Sequence, residues 1–178
     1  MVAHGSIYLP LYLLVFFILV RSYSASNTNI TQLVDEVCKK TSNYSFCVES
    51  LYSDPHTPDA DRYSLAYVSF CLAYLNATNT RDYITKLLKH ANSSHHHYQQ
   101  DLQRCAGDYK KAVSAIEMAY NDLNSETFFE LADLAGVAAH SAENCQANFK
   151  GTHSSLTSRN KALKGLCEIC VVVSKLFT

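Results

Sequence analysis

Two apolar stripes of matching length, separated by a short polar stretch, lie between residues 101 and 149 and constrain the fold more than any other feature. In the first stripe, apolar side chains recur at alternating steps of three and four: Leu102, Cys105, Tyr109, Ala112, Ile116, Ala119 and Leu123. The second stripe repeats that rhythm with Phe128, Leu131, Ala135, Ala138, Ala142, Cys145 and Phe149. Such spacing predicts two amphipathic helices that each bury one face.

The polar stretch between the stripes predicts the turn of a helical hairpin near Ser125. Asn124 and Ser125 are residue types that cap helix N-termini, and Glu126 suits the positive first turn of the next helix. Cys105 and Cys145 are equally far from that turn, about 30 Å along each helix axis, so antiparallel helices bring them to one level. The sequence therefore predicts that these two cysteines are well placed to form a disulfide.

The distribution of helix breakers predicts an all-helical body, because no proline follows Pro58. A further apolar pattern covers residues 60–92, which we interpret either as one long helix or as two helices that meet near Asn79. The last pattern covers 156–177, with Arg159 as its single polar interruption. Together with the hairpin, these helices predict an all-α, up-down-up-down four-helix bundle.

A small helical hairpin is predicted to precede the bundle. Short amphipathic patterns at 30–37 and 44–51 flank a polar turn, and Asn43 is the predicted cap of the second helix. Cys38 and Cys47 lie on either side of that turn, close enough for a local disulfide. Because helices this short are marginal in water, we expect packing and such a bond to hold them.

The N-terminus has the pattern of an export signal. An apolar run at 7–20, interrupted only by Pro10, precedes small polar residues, and it is shorter than the roughly 20 residues of a membrane span. We expect residues 1–24 to be a cleaved signal peptide and 25–178 to form the secreted domain, with no membrane attachment after cleavage. A signal anchor is the competing interpretation.

Seven cysteines suit an oxidising, extracellular destination. Beyond the two pairs above, the remaining three have two interpretations. Cys71 can form a third disulfide with Cys167 or Cys170, or all three can be free, small and buried. Four sequons supply candidate glycosylation sites, at Asn29, Asn43, Asn76 and Asn92.

Charge and motifs argue against several classes of function. With 15 Lys and Arg against 16 Asp and Glu, the chain lacks the electrostatic footprint of a nucleic-acid-binding protein. The adjacent histidines at 95–97 point in different directions on a helix, so we interpret 93–97 as a solvated loop and expect no metal and no cofactor. Neither a Gly-x-Ser-x-Gly elbow nor His-Glu-x-x-His occurs, so we do not expect an enzyme.

The cysteine pattern leads to a family. The segment 38–47 reads Cys-Lys-Lys-Thr-Ser-Asn-Tyr-Ser-Phe-Cys, and Phe149-Lys-Gly151 follows Cys145. The segment 158–163 reads Ser-Arg-Asn-Lys-Ala-Leu, similar to a Ser-Asn-Ala-Leu element in a closing helix. These features resemble the plant invertase and pectin methylesterase inhibitor family. The resemblance implies the bundle with its N-terminal hairpin, one disulfide within 38–47 and another between Cys105 and Cys145.

The resemblance also implies a function. A member would be a secreted inhibitor that binds a plant cell-wall carbohydrate-active enzyme one to one and blocks its substrate cleft. The target would be a pectin methylesterase or an acid invertase, and the shared fold cannot choose between them. The implied location is the apoplast, with the vacuole as an alternative. A non-inhibitory bundle with a structural or ligand-carrying role is the remaining alternative.

One local feature bears on the target. Some invertase inhibitors share a Pro-Lys-Phe tripeptide near the start of the third bundle helix, where the Lys can address an acidic sugar site. The matching region here reads Glu126-Thr-Phe-Phe129, with neither Pro nor Lys, so the comparison favours a pectin methylesterase. Phe128 belongs to the buried stripe, which leaves Glu126, Thr127 and Phe129 as candidate contacts with the target.

Overall fold

The computed structural model describes residues 30–90, 96–149 and 154–178. Two short helices come first, α1 (Gln32–Cys38) and α2 (Tyr44–Leu51), followed by one 3-10 turn, Thr57–Asp59. The long helices are α3 (Arg62–His90), α4 (His96–Asn124), α5 (Leu131–Asn148) and α6 (Thr157–Ser174). The predicted signal segment, residues 1–24, and the predicted C-cap of α5, residues 150–151, lie outside the described residues.

The four long helices close into a bundle in which α3 packs on α4, α4 on α5, α5 on α6, and α6 on α3. Short connections make sequential neighbours antiparallel. The predicted all-α bundle with an N-terminal hairpin is confirmed. The two apolar stripes form its core together with the inward faces of α3 and α6. The least exposed members of the stripes include Leu102, Cys105, Tyr109, Ala112, Ala119, Leu131, Ala138 and Cys145.

Helix α3 is continuous, so the alternative of two helices meeting near Asn79 is wrong. The polar patch that suggested a break stays helical because its inward-facing residues, Ala77 and Thr80, are buried in the bundle, and its hydroxyl groups bond within the helix. Thr78 Oγ1 donates to the carbonyl oxygen of Tyr74 at 2.8 Å, and Thr80 Oγ1 donates to that of Asn76 at the same distance. Thr80 is fully buried, so part of this patch belongs to the bundle core.

The hairpin formed by α1 and α2 lies against α6. Asn43 caps α2 as predicted, because its side-chain oxygen accepts a hydrogen bond from Phe46 N at 3.1 Å. The backbone N and the hydroxyl of Ser42 each donate to a carboxylate oxygen of Glu168, both at 2.7 Å. The Phe46 ring covers Gly165, where an added Cβ would lie 2.6 Å from the ring. The glycine therefore permits this close approach.

Two predicted helix starts are wrong. Helix α5 begins at Leu131, after a longer turn than the predicted cap near Ser125, and Glu130 at its start makes no side-chain capping bond. Glu126 has a φ of 54°, the left-handed conformation that ends many helices, so it terminates α4 instead of opening α5. Helix α4 begins at His96, so the final part of the predicted loop at 93–97 is helical.

Both predicted disulfides are present. One joins Cys38 of α1 to Cys47 of α2, with the Cα atoms 5.4 Å apart. The other joins Cys105 of α4 to Cys145 of α5, with the Cα atoms 4.5 Å apart. The second bond closes a segment of 40 residues and links the two central helices of the chain at the end of the bundle far from their turn.

The other three cysteines are free thiols in this structure. Cys71 is half-buried on α3, whereas Cys167 and Cys170 are buried on α6. Burial raises the pKa of the Cys167 thiol to about 12 and holds the pKa of Cys170 well above its usual value. Of the two interpretations offered by the sequence, the structure therefore has the free thiols, and the two on α6 are buried and protonated.

Candidate functional site

The turn between α4 and α5, residues 125–130, is the candidate site because it presents a large apolar side chain to solvent. Phe129 is 90% exposed, far more than the other exposed large apolar residues of the described chain. Glu126 and Thr127 are exposed beside it. The structure thus brings the three predicted contact residues together on one surface, which we call the recognition turn.

The recognition turn is held against the end of α4 by backbone hydrogen bonds. Thr127 N donates to the carbonyl oxygen of Asp122 at 2.9 Å, and the Thr127 hydroxyl donates to the same oxygen at 3.2 Å. Ser125 N donates to Asn121 O at 3.0 Å, and Glu126 N donates to Leu123 O at 3.2 Å. Phe129 therefore stands on a turn whose preceding backbone is already ordered.

An aromatic cluster lies beneath the turn and orients it. The Phe128 ring is half-buried and stacks on Phe177, with the centroids 4.4 Å apart and the planes inclined by 12°. Tyr63 packs against both rings at 5.9 and 5.2 Å, and the Arg62 guanidinium lies 4.9 Å from the Tyr63 centroid. Since Phe128 is anchored inward, the next side chain is directed outward, as the sequence predicts.

The charges carried by the turn segment itself are of one sign. Between residues 121 and 134 the chain has no Lys, Arg or His. It has four carboxylates in the same interval, Asp122, Glu126, Glu130 and Asp133. The recognition turn therefore presents an aromatic ring on an acidic segment, while the Arg62 guanidinium of α3 lies at the aromatic cluster beneath it.

A buried polar network that the sequence did not predict lies inside the bundle. The Tyr109 hydroxyl on α4 donates to Asn160 Oδ1 on α6 at 2.8 Å, and Asn160 Nδ2 donates to Gln146 Oε1 on α5 at 3.0 Å. Burial raises the pKa of Tyr109 well above its usual value, so the hydroxyl remains a donor. Asn160 falls four residues after Leu156 and three before Leu163, and both leucines are buried. This helical spacing was the signal in the sequence that Asn160 faces the core.

The remaining predicted sites are scattered. Asn43 is exposed at the start of α2, whereas Asn76 lies within α3 and its Oδ1 is buried with no hydrogen-bond partner. Asn29 and Asn92 fall outside the described residues. In the part of the chain that the structure describes, no three metal-binding side chains cluster, and no helix is long and apolar enough to cross a bilayer.

Comparison with known proteins bears on this architecture. The family model of the plant invertase/pectin methylesterase inhibitor matches residues 32–173, from the first short helix to near the end of α6. The chain belongs to the plant invertase/pectin methylesterase inhibitor family. Its relatives are named as inhibitors of enzymes, not as enzymes.

Relatives of this inhibitor-family chain include proteins named as pectinesterase inhibitors and proteins named as inhibitors of fructosidase or invertase. A pectinesterase inhibitor from Actinidia deliciosa is 29% identical, covering 97% of this chain and 94% of the relative. A cell wall / vacuolar inhibitor of fructosidase from Arabidopsis thaliana is 32% identical, covering 90% and 93%. A crystal structure of a mutant pectin methylesterase inhibitor from Arabidopsis superposes with a TM-score of 0.71 at 22% identity, covering 82% and 97%. That likeness shows the shared fold.

Proposed function

We propose that the protein is a secreted inhibitor that binds a plant pectin methylesterase one to one and blocks its substrate cleft with the recognition turn. The observation that carries this proposal is the exposure of the Phe129 side chain to solvent on a hydrogen-bonded, acidic turn. The candidate site contains no nucleophile paired with a base, which agrees with a binding role. An acid invertase is the second candidate target, because named relatives include an inhibitor of fructosidase.

Charge complementarity favours the pectin methylesterase. Its substrate is a polymer of uronic acid units, so its cleft must accommodate carboxylates as ester groups are removed. An acidic inhibitor surface matches a cleft built for a polyanion, and matched charges speed association and suppress wrong partners. Acid invertase acts on a neutral sugar, and the lysine expected of an invertase-binding tripeptide is absent from residues 126–129.

The structure of the turn supports a hot-spot role for Phe129. An aromatic anchor that fills a pocket on the target commonly dominates the binding free energy of an interface. The hydrogen bonds of Thr127 and the stacking of Phe128 order the turn before binding, which lowers the entropic cost of docking. Glu126 and Thr127 would then lie at the polar rim of the contact.

The experiment compares variants on two enzymes. The oxidised protein is titrated into a pectin methylesterase and, separately, into an acid invertase at acidic pH, and residual activity gives the inhibition constant. Phe129→Ala should weaken inhibition by at least about 30-fold, the equivalent of about 2 kcal/mol. Val137→Ala on α5 is the matched control, since Val137 is also exposed and apolar but lies away from the turn, and it should inhibit normally.

Three results would contradict parts of the proposal. Normal inhibition by Phe129→Ala would remove the recognition turn as the contact. Inhibition of invertase alone would assign the other target, and Glu130→Lys should then strengthen it, whereas the same change should weaken inhibition of a pectin methylesterase. Inhibition of neither enzyme would favour the structural or ligand-carrying alternative.

Secretion is part of the same proposal. We infer that residues 1–24 are removed during export and that 25–178 reach the apoplast, with the vacuole as the alternative destination. N-terminal sequencing of protein recovered from apoplastic wash fluid should begin at residue 25. Retention of the apolar segment at 7–20 in a membrane fraction would support the signal-anchor interpretation instead.

A further inference from the structure

A groove of about 500 Å³ lies between the N-terminal hairpin and α6. On the hairpin side its lining includes Asn43 and Phe46, and on the α6 side it includes Ser158, Lys161 and Glu168. The volume falls within the range of about 300–1,000 Å³ that is typical of small-molecule sites. The recognition turn has no part in it, so the groove calls for a separate explanation.

Asn43 belongs to the sequon Asn43-Tyr-Ser45, and the folded protein leaves its side-chain nitrogen free to carry a glycan. The cap of α2 uses only the side-chain oxygen, which accepts from Phe46 N at 3.1 Å. Among the described residues, Asn43 Nδ2 makes no hydrogen bond. All three residues of the sequon are exposed. A substituent on Nδ2 would therefore leave the cap intact and start at the rim of the groove.

The other sequon of the described chain has the opposite geometry. Asn76 lies within α3, and its Oδ1 is buried without a hydrogen-bond partner. The hydroxyl of Thr78, the third residue of that sequon, donates to the carbonyl oxygen of Tyr74 inside the helix. A glycan on Asn76 would start from a half-buried side chain within α3 and would have to be accommodated as the bundle packs, so the folded structure favours chains that are unmodified at this position.

We propose that Asn43 carries an N-linked glycan whose first N-acetylglucosamine lies in this groove and joins the hairpin to α6. The proposal requires the secretory route inferred above. There, Asn43 Nδ2 attacks C1 of an oligosaccharide held on a lipid diphosphate donor. The N–C1 bond forms, the C1–O bond to the diphosphate breaks, the lipid diphosphate leaves, and Nδ2 releases one proton.

The lining of the groove matches the chemistry of that sugar. The Phe46 ring and the side chain of Ala162 offer apolar surface to the acetamido methyl group and the sugar face. Lys161, which forms no ion pair among the described residues, and Ser158 can bond to hydroxyl oxygens. Lys164 on the same wall is engaged with Glu143 at 2.6 Å. The sugar would thus add contacts between a short hairpin, which is marginal alone, and the bundle.

Occupancy is tested first, on the full chain secreted from a eukaryotic host. Peptide mass mapping, with enzymatic release of glycans in heavy-oxygen water, marks each glycosylated Asn as a labelled Asp. We expect label at Asn43 and none at Asn76. An unmodified Asn43 in the secreted protein overturns the proposal, and so does a glycan at Asn76 in its place.

Docking of the sugar is tested by thermal unfolding. Ser45→Ala abolishes the sequon but keeps the Asn43 cap, and it should lower the unfolding midpoint by about 2–4 °C in protein from the eukaryotic host. Ser45→Thr keeps the sequon and should unfold like the wild type. In refolded bacterial protein, which carries no glycan, wild type and Ser45→Ala should coincide.

Trimming separates a docked sugar from a merely attached one. An endoglycosidase that leaves a single N-acetylglucosamine on Asn43 should preserve the midpoint, which should remain above that of Ser45→Ala from the same host, where Asn43 carries no sugar and stays an asparagine. Equal midpoints for intact protein, trimmed protein and Ser45→Ala from the eukaryotic host would overturn the docking of the sugar. A drop caused by Ser45→Ala in the bacterial protein would assign the effect to Ser45 itself and would likewise overturn it.

Discussion

The two ends of the α4–α5 hairpin use the same pair of helices in opposite ways. At one end, Cys105 and Cys145 are fully buried and covalently joined. At the other, the chain turns through six residues whose Phe129 is 90% exposed. We call the first the closed end and keep the name recognition turn for the second. We expect the closed end to contribute to the free energy of unfolding, whereas the recognition turn leaves its largest apolar side chain exposed to solvent.

This contrast separates stability from recognition. Changes at the closed end should lower the free energy of unfolding and leave the inhibition constant of the folded protein unchanged. Changes at the recognition turn should weaken inhibition and leave the free energy of unfolding nearly unchanged. Changes in the aromatic cluster of Phe128, Phe177 and Tyr63 should affect both the free energy of unfolding and the inhibition constant, because these rings belong to the bundle and support the turn.

The largest expected effect comes from removing the disulfide of the closed end. Cys105→Ala with Cys145→Ala reopens a 40-residue segment and should cost about 4 kcal/mol of unfolding free energy in the chain-entropy model. Cys38→Ala with Cys47→Ala, whose separation is 9 residues, should cost about 2.5 kcal/mol. Denaturant unfolding measures both. Equal losses would show that loop length does not control the effect.

A smaller effect should follow from loss of the buried network. Tyr109→Phe removes the donor to Asn160 Oδ1 and leaves a buried acceptor unpaired, which should cost about 1–3 kcal/mol. Tyr98→Phe, on the same helix but exposed, is the control and should change little. The comparison would fail if both variants unfolded at the same denaturant concentration.

The closed end should also show a pH dependence through Asp108. Its partial burial raises the pKa of this carboxyl above the usual value, although Lys111 and the Asn148 side chain act in the opposite direction. Between the unfolded pKa and the raised folded pKa, the folded state binds more protons. The free energy of unfolding therefore falls as pH rises through this window and stays lowered above it.

Asp108→Asn tests this sign, since it keeps the size of the side chain and removes its charge. The variant should be more stable than the wild type at neutral pH, and the difference should vanish below the unfolded pKa of the carboxyl. Urea unfolding of both proteins across that range measures it. A wild type that gains stability relative to the variant as pH rises would reverse the assignment.

The smallest change in stability is expected at the recognition turn. Phe129→Ala should alter the free energy of unfolding by no more than about 0.5 kcal/mol, because an exposed side chain makes few contacts to lose. Its large effect is expected in inhibition alone. A substantial loss of stability would show that Phe129 packs on the bundle and would weaken the contrast between the two ends.

Most of the fold follows from local patterns in the sequence. Apolar spacing predicted the long helices and the seams of α4 and α5, because the 3.6-residue period determines which side chains share a face. The cysteine positions predicted both disulfides, and Asn43 was correctly expected to cap α2. The candidate site was partly predictable for the same reason, since a buried Phe128 leaves its neighbour Phe129 outside.

The sequence-based predictions failed where residues far apart in the chain determine the local structure. The start of α5 depends on Phe128 stacking against Phe177, near the C-terminus, and on the left-handed backbone of Glu126. Asn160 is buried because Tyr109, 51 residues earlier, satisfies it. The local pattern can place Asn160 on the inward face of α6, but it carries no information about which residue will pair with it. The sequence by itself therefore determined the helices, their inward faces and the cross-links, whereas tertiary packing decided where helices end and which polar groups can be buried. The reason is that helix periodicity arises between near neighbours, while a buried polar group needs a partner that only the assembled bundle supplies.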